Sequence, residues 1–442
     1  MAGGRGECHA NKLIVTLDPR ACPGTLFIVR FFVLSLVSLV GCVGDSAIQP
    51  QPGKDGGDSK DSSPQPLPDG SQADASCGLP GSACCANDTC TGGAACTQSV
   101  CACTNGQVAC GATCVNTLSD AKNCGMCGHD CVGGSCTGGV CQATTLVTGQ
   151  TAVTKLVPTP TRLLWTRASS GQQSGGTFGS DLDGKNVATL LDVGSATCQS
   201  LDATATDAYF ACAGRIYHCT TASCTPTSIA NVVAPNDMVL DTTNSRIYYS
   251  VGTNYNQQTG GNVWSMPIAG GASLKLLVTD QPNPTNVAID GGKVYWLNSG
   301  TYKLDIPQKN GGIRKAPFGS NQMETVVDAD SSGSDYIGLG VDGTTVFYGA
   351  GGAAEIHAVA TIGGAPTTFA KTLTKTPVTA LVVDATNVYW VENGGGVYRC
   401  SKSSCTTPKL LVPNQTLPTA LAQDATSVYW ANSTGEIRRL AK

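Results

Sequence analysis

The chain has 442 residues, 13% of them charged and 6% aromatic, with 54 glycines and a formal net charge of −4. Sparse charge with a slight acidic excess excludes DNA or RNA as a partner, because a phosphate backbone is met by clustered Lys and Arg. Abundant Gly with frequent Val and Thr fits an all-β chain with many turns, and the length allows more than one domain.

An apolar run at residues 31–40 follows Arg30. It is too short to cross a bilayer, which takes about 20 residues, and has the length of a signal-peptide apolar segment behind a basic residue. It ends in Leu39-Val40-Gly41-Cys42. This resembles the lipobox of bacterial lipoproteins, in which a small residue precedes the cysteine that is cleaved and acylated. The resemblance implies a signal over residues 1–41, a lipid on Cys42 that attaches the chain to a membrane, and export to the cell surface. Val43, where an Asp would redirect sorting, implies the outer membrane by the same resemblance. A plain signal peptide with an incidental cysteine is the alternative. Residues 1–28 contain Asp18, Pro19, Cys8 and Cys22 and do not read as part of a signal. Translation from Val29 is therefore expected, leaving a compact signal over 29–41.

Residues 42–76 begin with the lipidated Cys42 and continue as a Pro-, Gly-, Asp- and Ser-rich linker without an apolar period. Such a composition cannot bury enough surface to offset the entropy of ordering. A coil of this length reaches ~30 Å, enough to hold folded parts off a membrane.

Residues 77–141 carry 14 of the 23 cysteines, a density typical of an oxidising compartment, where disulfides stand in for a core too small to be stable alone. The segment divides into Cys77 to Cys103 and Cys110 to Cys141. The second part, with Cys110-Gly111-Ala112-Thr113-Cys114 and Asn123-Cys124-Gly125-Met126-Cys127-Gly128, resembles a cysteine-rich module of secreted bacterial lipoproteins. With Cys42 set aside, 14 cysteines here and six later are even numbers. They allow seven bridges and three, each contributing ~2–4 kcal/mol, while the pairing within 77–141 cannot be read from sequence. The spacing of Cys124 and Cys127 also suits zinc or a redox dithiol. A disulfide framework is the expectation in an exported chain, with His129 a loop residue.

Residues 142–442 contain a repeat. A β run ends in bulky positions at Leu163-Leu164-Trp165, Ala208-Tyr209-Phe210, Ile247-Tyr248-Tyr249, Val294-Tyr295-Trp296, Val346-Phe347-Tyr348, Val388-Tyr389-Trp390 and Val428-Tyr429-Trp430. Their last residues are 45, 39, 47, 52, 42 and 40 positions apart, the period of a four-stranded propeller blade. An apolar strand ending in Asp precedes the run, as at 287–290 and 381–384. Two further strands follow it, as at 396–399 and 409–412, with turn signals between them. Seven cores predict a seven-bladed β-propeller; six blades is the competing count, and candidate outer strands at 176–178 and 189–191 favour seven. The last blade reaches Lys442 with three strands, and residues 144–149 are the candidate fourth. Their pairing would close the ring and remove a free strand edge. The repeat resembles bacterial relatives of YWTD and NHL-type (TolB-like) propellers, although Leu297-Asn298, Val391-Glu392 and Ala431-Asn432 follow the aromatic pair where strict YWTD would continue differently.

Two cysteine pairs, Cys219 with Cys224 and Cys400 with Cys405, fall at the same place after a third strand and are expected to staple the turn into the fourth; Cys198 and Cys212 then pair by elimination. Asp241, Asp290, Asp342, Asp384 and Asp424 recur where a turn joins the first two strands, and each is expected to accept backbone N–H bonds there rather than form a metal ring. Trp165, Trp296, Trp390 and Trp430 occupy a repeat position and are expected to pack between blades. His218 and His357 are expected to be structural or exposed. No nucleophile elbow, P-loop, dinucleotide fingerprint or HExxH motif is present.

Loops between second and third strands open on the face of a propeller that carries the blade-to-blade connections. Those at 169–176, 253–261 and 299–312 are long, as is the connection at 328–335. Tyr255, Asn256, Gln257, Tyr302, Lys303 and Asp305 lie in them, and long polar loops with Tyr and Asn on a rigid ring are where recognition resides. The expected function is a binding or scaffold module for an envelope protein or polysaccharide, with no cofactor. The alternative is a calcium-dependent propeller hydrolase, lyase or lactonase in which Glu355, Glu392, Asp328 and Asn298 supply oxygen ligands; a purely structural envelope protein is a third reading. A channel of small and apolar residues would favour the binder, and carboxylates converging from three or more blades the enzyme.

Overall fold

The computed structural model describes residues 77–442 except 234, 253–259, 272–274, 304–305, 308–309, 329–335 and 351–353, with only the backbone path of 302–303 and 306–307. The expected lipidation site Cys42 and the linker lie outside the described residues. Residues 153–441 and Thr144–Val147 build seven four-stranded antiparallel sheets, in simple sequential order from the centre outward in blades 1 to 6. The innermost strands are Val153–Pro158, Cys198–Ala203, Asp237–Asp241, Pro284–Asp290, Tyr336–Asp342, Val378–Val383 and Pro418–Gln423. The blades they begin are numbered 1 to 7 in that order.

The repeat acquires its physical reason here. Consecutive residues of a strand face opposite sides of the sheet. Tyr209 accordingly packs with Met238 and Leu240 of blade 3, while Phe210 packs with Leu164 of blade 1. Tyr295 and Trp296, Phe347 and Tyr348, Tyr389 and Trp390, and Tyr429 and Trp430 divide the same way between the following and preceding blades. Seven buried clusters among the described residues thus fill the seven interfaces between blades. All four repeat tryptophans are fully buried, and burying a side chain of this size is worth upwards of ~2 kcal/mol.

The chain ends close the ring. Ile437–Ala441 pairs with Thr144–Val147 through Ile437↔Val147, Arg438↔Thr145 and Arg439↔Thr144, so blade 7 is built from both ends of the propeller segment. The inner strands are linked near their beginnings. Thr154 Oγ1 donates to Cys198 O (2.8 Å), Asn236 Nδ2 to Pro284 O (2.9 Å) and Thr379 Oγ1 to Pro418 O (2.7 Å), each reaching the first carbonyl of the next inner strand. Thr154 and Thr379 sit at bulges, where the ladder shifts by one residue; such bulges re-aim a strand. In blade 5 Gly338 takes this place with φ +67°, a left-handed conformation that glycine adopts without strain.

Residues 77–141 hold seven disulfides: Cys77–Cys85, Cys84–Cys96, Cys90–Cys101, Cys103–Cys114, Cys110–Cys127, Cys124–Cys136 and Cys131–Cys141. Cys103–Cys114 joins the two halves into which the sequence divides. The second half packs on the propeller: Cys124, Cys131, Cys136 and Cys141 share a buried cluster with Val412 and Leu440. Three more disulfides, Cys198–Cys212, Cys219–Cys224 and Cys400–Cys405, lie in the blades. Ten bridges among the described residues indicate an extracytoplasmic protein.

Candidate functional site

The pairs Val153↔Arg167, Asp237↔Ser250 and Pro284↔Asn298 set the beginning of each inner strand beside the end of the second strand. The loops that follow the second strands therefore border one mouth of the central channel. Inside it a cavity of about 700 Å³ is lined by the inner strands of all seven blades.

Register defines a layer just inside that mouth. Lys155, Ser200, Asp237, Asn286, Ile337, Ala380 and Ala420 each oppose the residue that follows the aromatic core of their own blade. Polar residues occupy this position in blades 1 to 4 and apolar ones in blades 5 to 7. The polar half is bonded across blades. Lys155 Nζ lies 2.7 Å from Asp237 Oδ1, which also accepts from Ser200 Oγ (3.2 Å), and Asp237 Oδ2 accepts from the Val287 N–H (3.2 Å). Burial by itself would lower the Lys155 pKa, but the charge and hydrogen bond of Asp237 raise it above the ordinary lysine value. The ammonium is thus held charged. Deeper along the channel, burial pushes the Asp202 carboxyl upward against two backbone N–H bonds, from Leu240 and Ala203 (both 2.8 Å).

Of the residues expected to form a recognition face, Tyr255, Asn256, Gln257 and Asp305 lie outside the described residues. Tyr302–Lys303 pairs with Ile306–Pro307 as a short hairpin between the second and third strands of blade 4. Its base is pinned where the Thr301 N–H donates to Asn310 Oδ1 (2.9 Å). The loop at 169–176 is spent on ring closure: Gln173 Oε1 accepts from Thr151 Oγ1 (2.7 Å) and its Nε2 donates to Gly149 O (3.0 Å).

The four candidate calcium ligands are engaged in separate places. Glu392 is fully buried and accepts from Trp390 Nε1 (3.0 Å), the Leu373 and Thr374 N–H groups (3.2 and 3.1 Å) and Thr374 Oγ1 (2.5 Å). Asn298 donates to Gln281 Oε1 (3.0 Å). Asp328 pairs with Arg314 at 2.8 Å, and Glu355 with His357 at 3.1 Å and Lys371 at 3.4 Å. Among the described residues, every cluster with metal-ligand proximity consists of disulfide cysteines, in one case with Asp88.

Four of the five repeat aspartates have side-chain partners; Asp290 makes no side-chain hydrogen bond among the described residues, so the N–H bond expected of it is not formed. Asp384 and Asp424 accept backbone N–H bonds two and three residues ahead, and Asp241 accepts from the Asn244 N–H. Asp342 instead pairs with Lys402 of the next blade. His218 bonds Asp207 at 2.8 Å. Cys124 and Cys127 bond to different cysteines. His129 bridges module and propeller, with Nδ1 2.6 Å from Cys124 O and Nε2 2.9 Å from Lys442 O.

No protein-family model and no curated protein sequence matches the chain. Solved structures do. A structure of virginiamycin B lyase from Staphylococcus aureus aligns at 15% identity over 68% of this chain and 98% of that one, with a TM-score of 0.53. A catalytically inactive form of that lyase with quinupristin aligns at 14% identity over the same shares, with a TM-score of 0.54. A nidogen–laminin complex structure aligns at 15% identity over 55% of this chain and 90% of that one, with a TM-score of 0.41. At these identities the likeness to the lyase is one of fold: the propeller architecture hosts enzymes and binding modules alike.

Proposed function

We propose that this chain is an exported envelope module, tethered through lipid on Cys42, whose propeller binds a protein or glycan at the loop-bearing mouth of its channel. One observation carries the binding reading. The channel's two lining carboxylates, Asp202 and Asp237, spend their oxygens on protein donors, while most of the surrounding wall is Val, Leu, Ala, Gly and Thr. A wall of this kind offers shape and a few fixed polar groups, the usual composition of a recognition site. The disulfide-held module, docked on blades 6 and 7, adds a rigid base between tether and ring.

The test uses the exported chain carrying Cys42→Ser, immobilised and exposed to envelope proteins and polysaccharides with and without a calcium chelator. Saturable capture that survives chelation is the expected result. Capture that vanishes with chelation, or calcium-dependent turnover of lactone or polysaccharide substrates, would overturn the reading in favour of an enzyme. The tether has its own check: metabolic labelling with a fatty acid should mark the wild-type chain and not the Cys42→Ser variant.

A further inference from the structure

We propose that the channel layer of blades 1 to 4 is a binding site for an uncharged polyhydroxy ligand, a sugar unit presented by a glycan. This rests on the binding reading above and names the ligand class.

Lys155 and Asp237 neutralise one another across two blades at 2.7 Å, so the layer of Lys155, Ser200, Asp237 and Asn286 carries no net charge, and Asp202, deeper in the same cavity, spends both oxygens on backbone N–H groups. An anionic ligand would compete with Asp237 for the ammonium, and a cationic one would compete with Lys155 for the carboxylate. A neutral ligand leaves the pair intact.

The Lys155 side chain is 34% exposed and that of Asp237 only 6%, so a ligand meets the ammonium first. An ammonium has three N–H donors, and Asp237 is the single acceptor that Lys155 has among the described residues. Asn286, on the same cavity wall, uses Oδ1 to accept from Thr285 Oγ1 (3.4 Å), and its Nδ2 has no protein acceptor among the described residues. The polar half-ring is therefore rich in donors, while its carboxylate is already engaged. A hydroxyl suits such a wall because it accepts through two lone pairs and can turn its own proton elsewhere. A peptide strand suits it less, since its N–H groups would need free acceptors here.

Across the bore stand Ile337 and Ala380, half-buried apolar residues of the cavity wall, which offer a surface to the C–H face of a sugar ring. The cavity of about 700 Å³ lies within the ~300–1,000 Å³ typical of small-molecule sites. Its mouth on the loop-bearing face gives the rest of a glycan chain a way out.

The experiment is calorimetric titration of the exported Cys42→Ser chain with glucose, galactose, N-acetylglucosamine and maltose, alongside glucuronate, glucosamine and trialanine. At least one neutral sugar should bind saturably and more tightly than any charged sugar or trialanine. Asn286→Ala should weaken binding about tenfold, the effect of one lost hydrogen bond. Ala380→Phe, at a half-buried wall position on a blade that adjoins none of blades 1 to 4, narrows the bore while leaving Lys155 and Asn286 in place and should abolish it. Unchanged melting curves for both variants would show that they fold. Failure of every neutral sugar to bind, tighter binding of glucuronate, glucosamine or trialanine, or neutral-sugar binding indifferent to both variants would overturn the proposal. If Ala380→Phe still captures envelope material as the parent does, the channel site fails while the binding function stands. If the parent captures nothing, the binding function itself fails.

Discussion

The indole Nε1 of Trp430 donates a 2.8 Å hydrogen bond to Oε1 of Gln415, fifteen residues earlier on the connection from blade 6 into blade 7. Trp165 and Gln150, and Trp296 and Gln281, repeat this bond at 2.9 Å and at the same separation. A buried indole needs an acceptor, and the strand-to-strand connection supplies it, locking each such blade to the one before. Blade 6 solves the problem differently. Lys375 stands fifteen residues before Trp390, and Glu392 accepts the indole proton while reaching back to the backbone of Leu373 and Thr374.

Gln415→Ala should therefore cost about 1–3 kcal/mol, because it orphans the indole N–H, removes the acceptor of Arg438 Nη1 and leaves Asn432 Nδ2 with only the longer bond to Glu436. Urea unfolding measures this. Combining it with Trp430→Phe should cost less than the sum of the two single changes, since the orphaned donor is then gone. Strict additivity would show that the bond contributes nothing.

Much of this was legible in sequence. The bulky runs announced the blades because each needs side chains on both of its faces, and the segment at 144–149 announced the closure because it reads like the fourth strands of other blades, as its pairing with Ile437–Ala441 bears out. The Gln–Trp spacing of fifteen was also there to be read, from Gln150, Gln281 and Gln415. The channel layer was harder. Lys155, Ser200, Asn286, Ala380 and Ala420 all stand ten residues before the last aromatic-core position, but no residue type repeats among them, so the position looks like drift. Asp237 stands twelve before Tyr249, because the turn of blade 3 is longer. Its bond to Lys155, 82 residues away, exists only once the ring has closed. Glu392 misled in the other direction: a carboxylate after an aromatic pair reads as a ligand until the buried indole beside it is seen to need an acceptor.

Asp384 predicts a pH effect. Burial by itself would raise its pKa, but the Thr386 N–H, the Lys442 ammonium at 3.0 Å and the Asn387 N–H hold the carboxyl well below the ordinary carboxylate range. A depressed pKa contributes stability that is complete above the unfolded-state value, near 3.8, and is lost as pH falls through the folded-state value. Asp384→Asn should cost about 1–3 kcal/mol at neutral pH and flatten the fall in stability below pH ~4. Melting temperatures of both proteins from pH 7 down to pH 2 would show the curves converging in acid; parallel curves would deny Asp384 this role.

Ring closure predicts a folding defect. Val147 is 7% exposed and packs with Val153, Trp165 and Ile437 between blades 7 and 1. Val147→Asp buries an unpaired carboxylate there and weakens the one strand that covers Ile437–Ala441. An uncovered edge recruits other chains, so the variant should elute as larger species than the parent in size-exclusion chromatography. The parent's elution volume with unchanged stability would mean that Thr144–Val147 is dispensable.

The blade disulfides allow a ranking by loop size. Cys198–Cys212 closes a separation of 14 residues and Cys400–Cys405 one of five. Restriction of the unfolded chain alone gives about 3 kcal/mol for the longer loop and about 2 kcal/mol for the shorter. Packing widens the gap, because Cys198 and Cys212 are buried in the cluster between blades 1 and 2, whereas Cys405 is only partly buried at the edge of its own. Replacing each pair by alanines and measuring urea unfolding should therefore show the larger loss for the blade 2 pair. The reverse order would mean that the turn after the third strand of blade 6, and not the inner hairpin of blade 2, is the part of the ring that most needs a covalent tie.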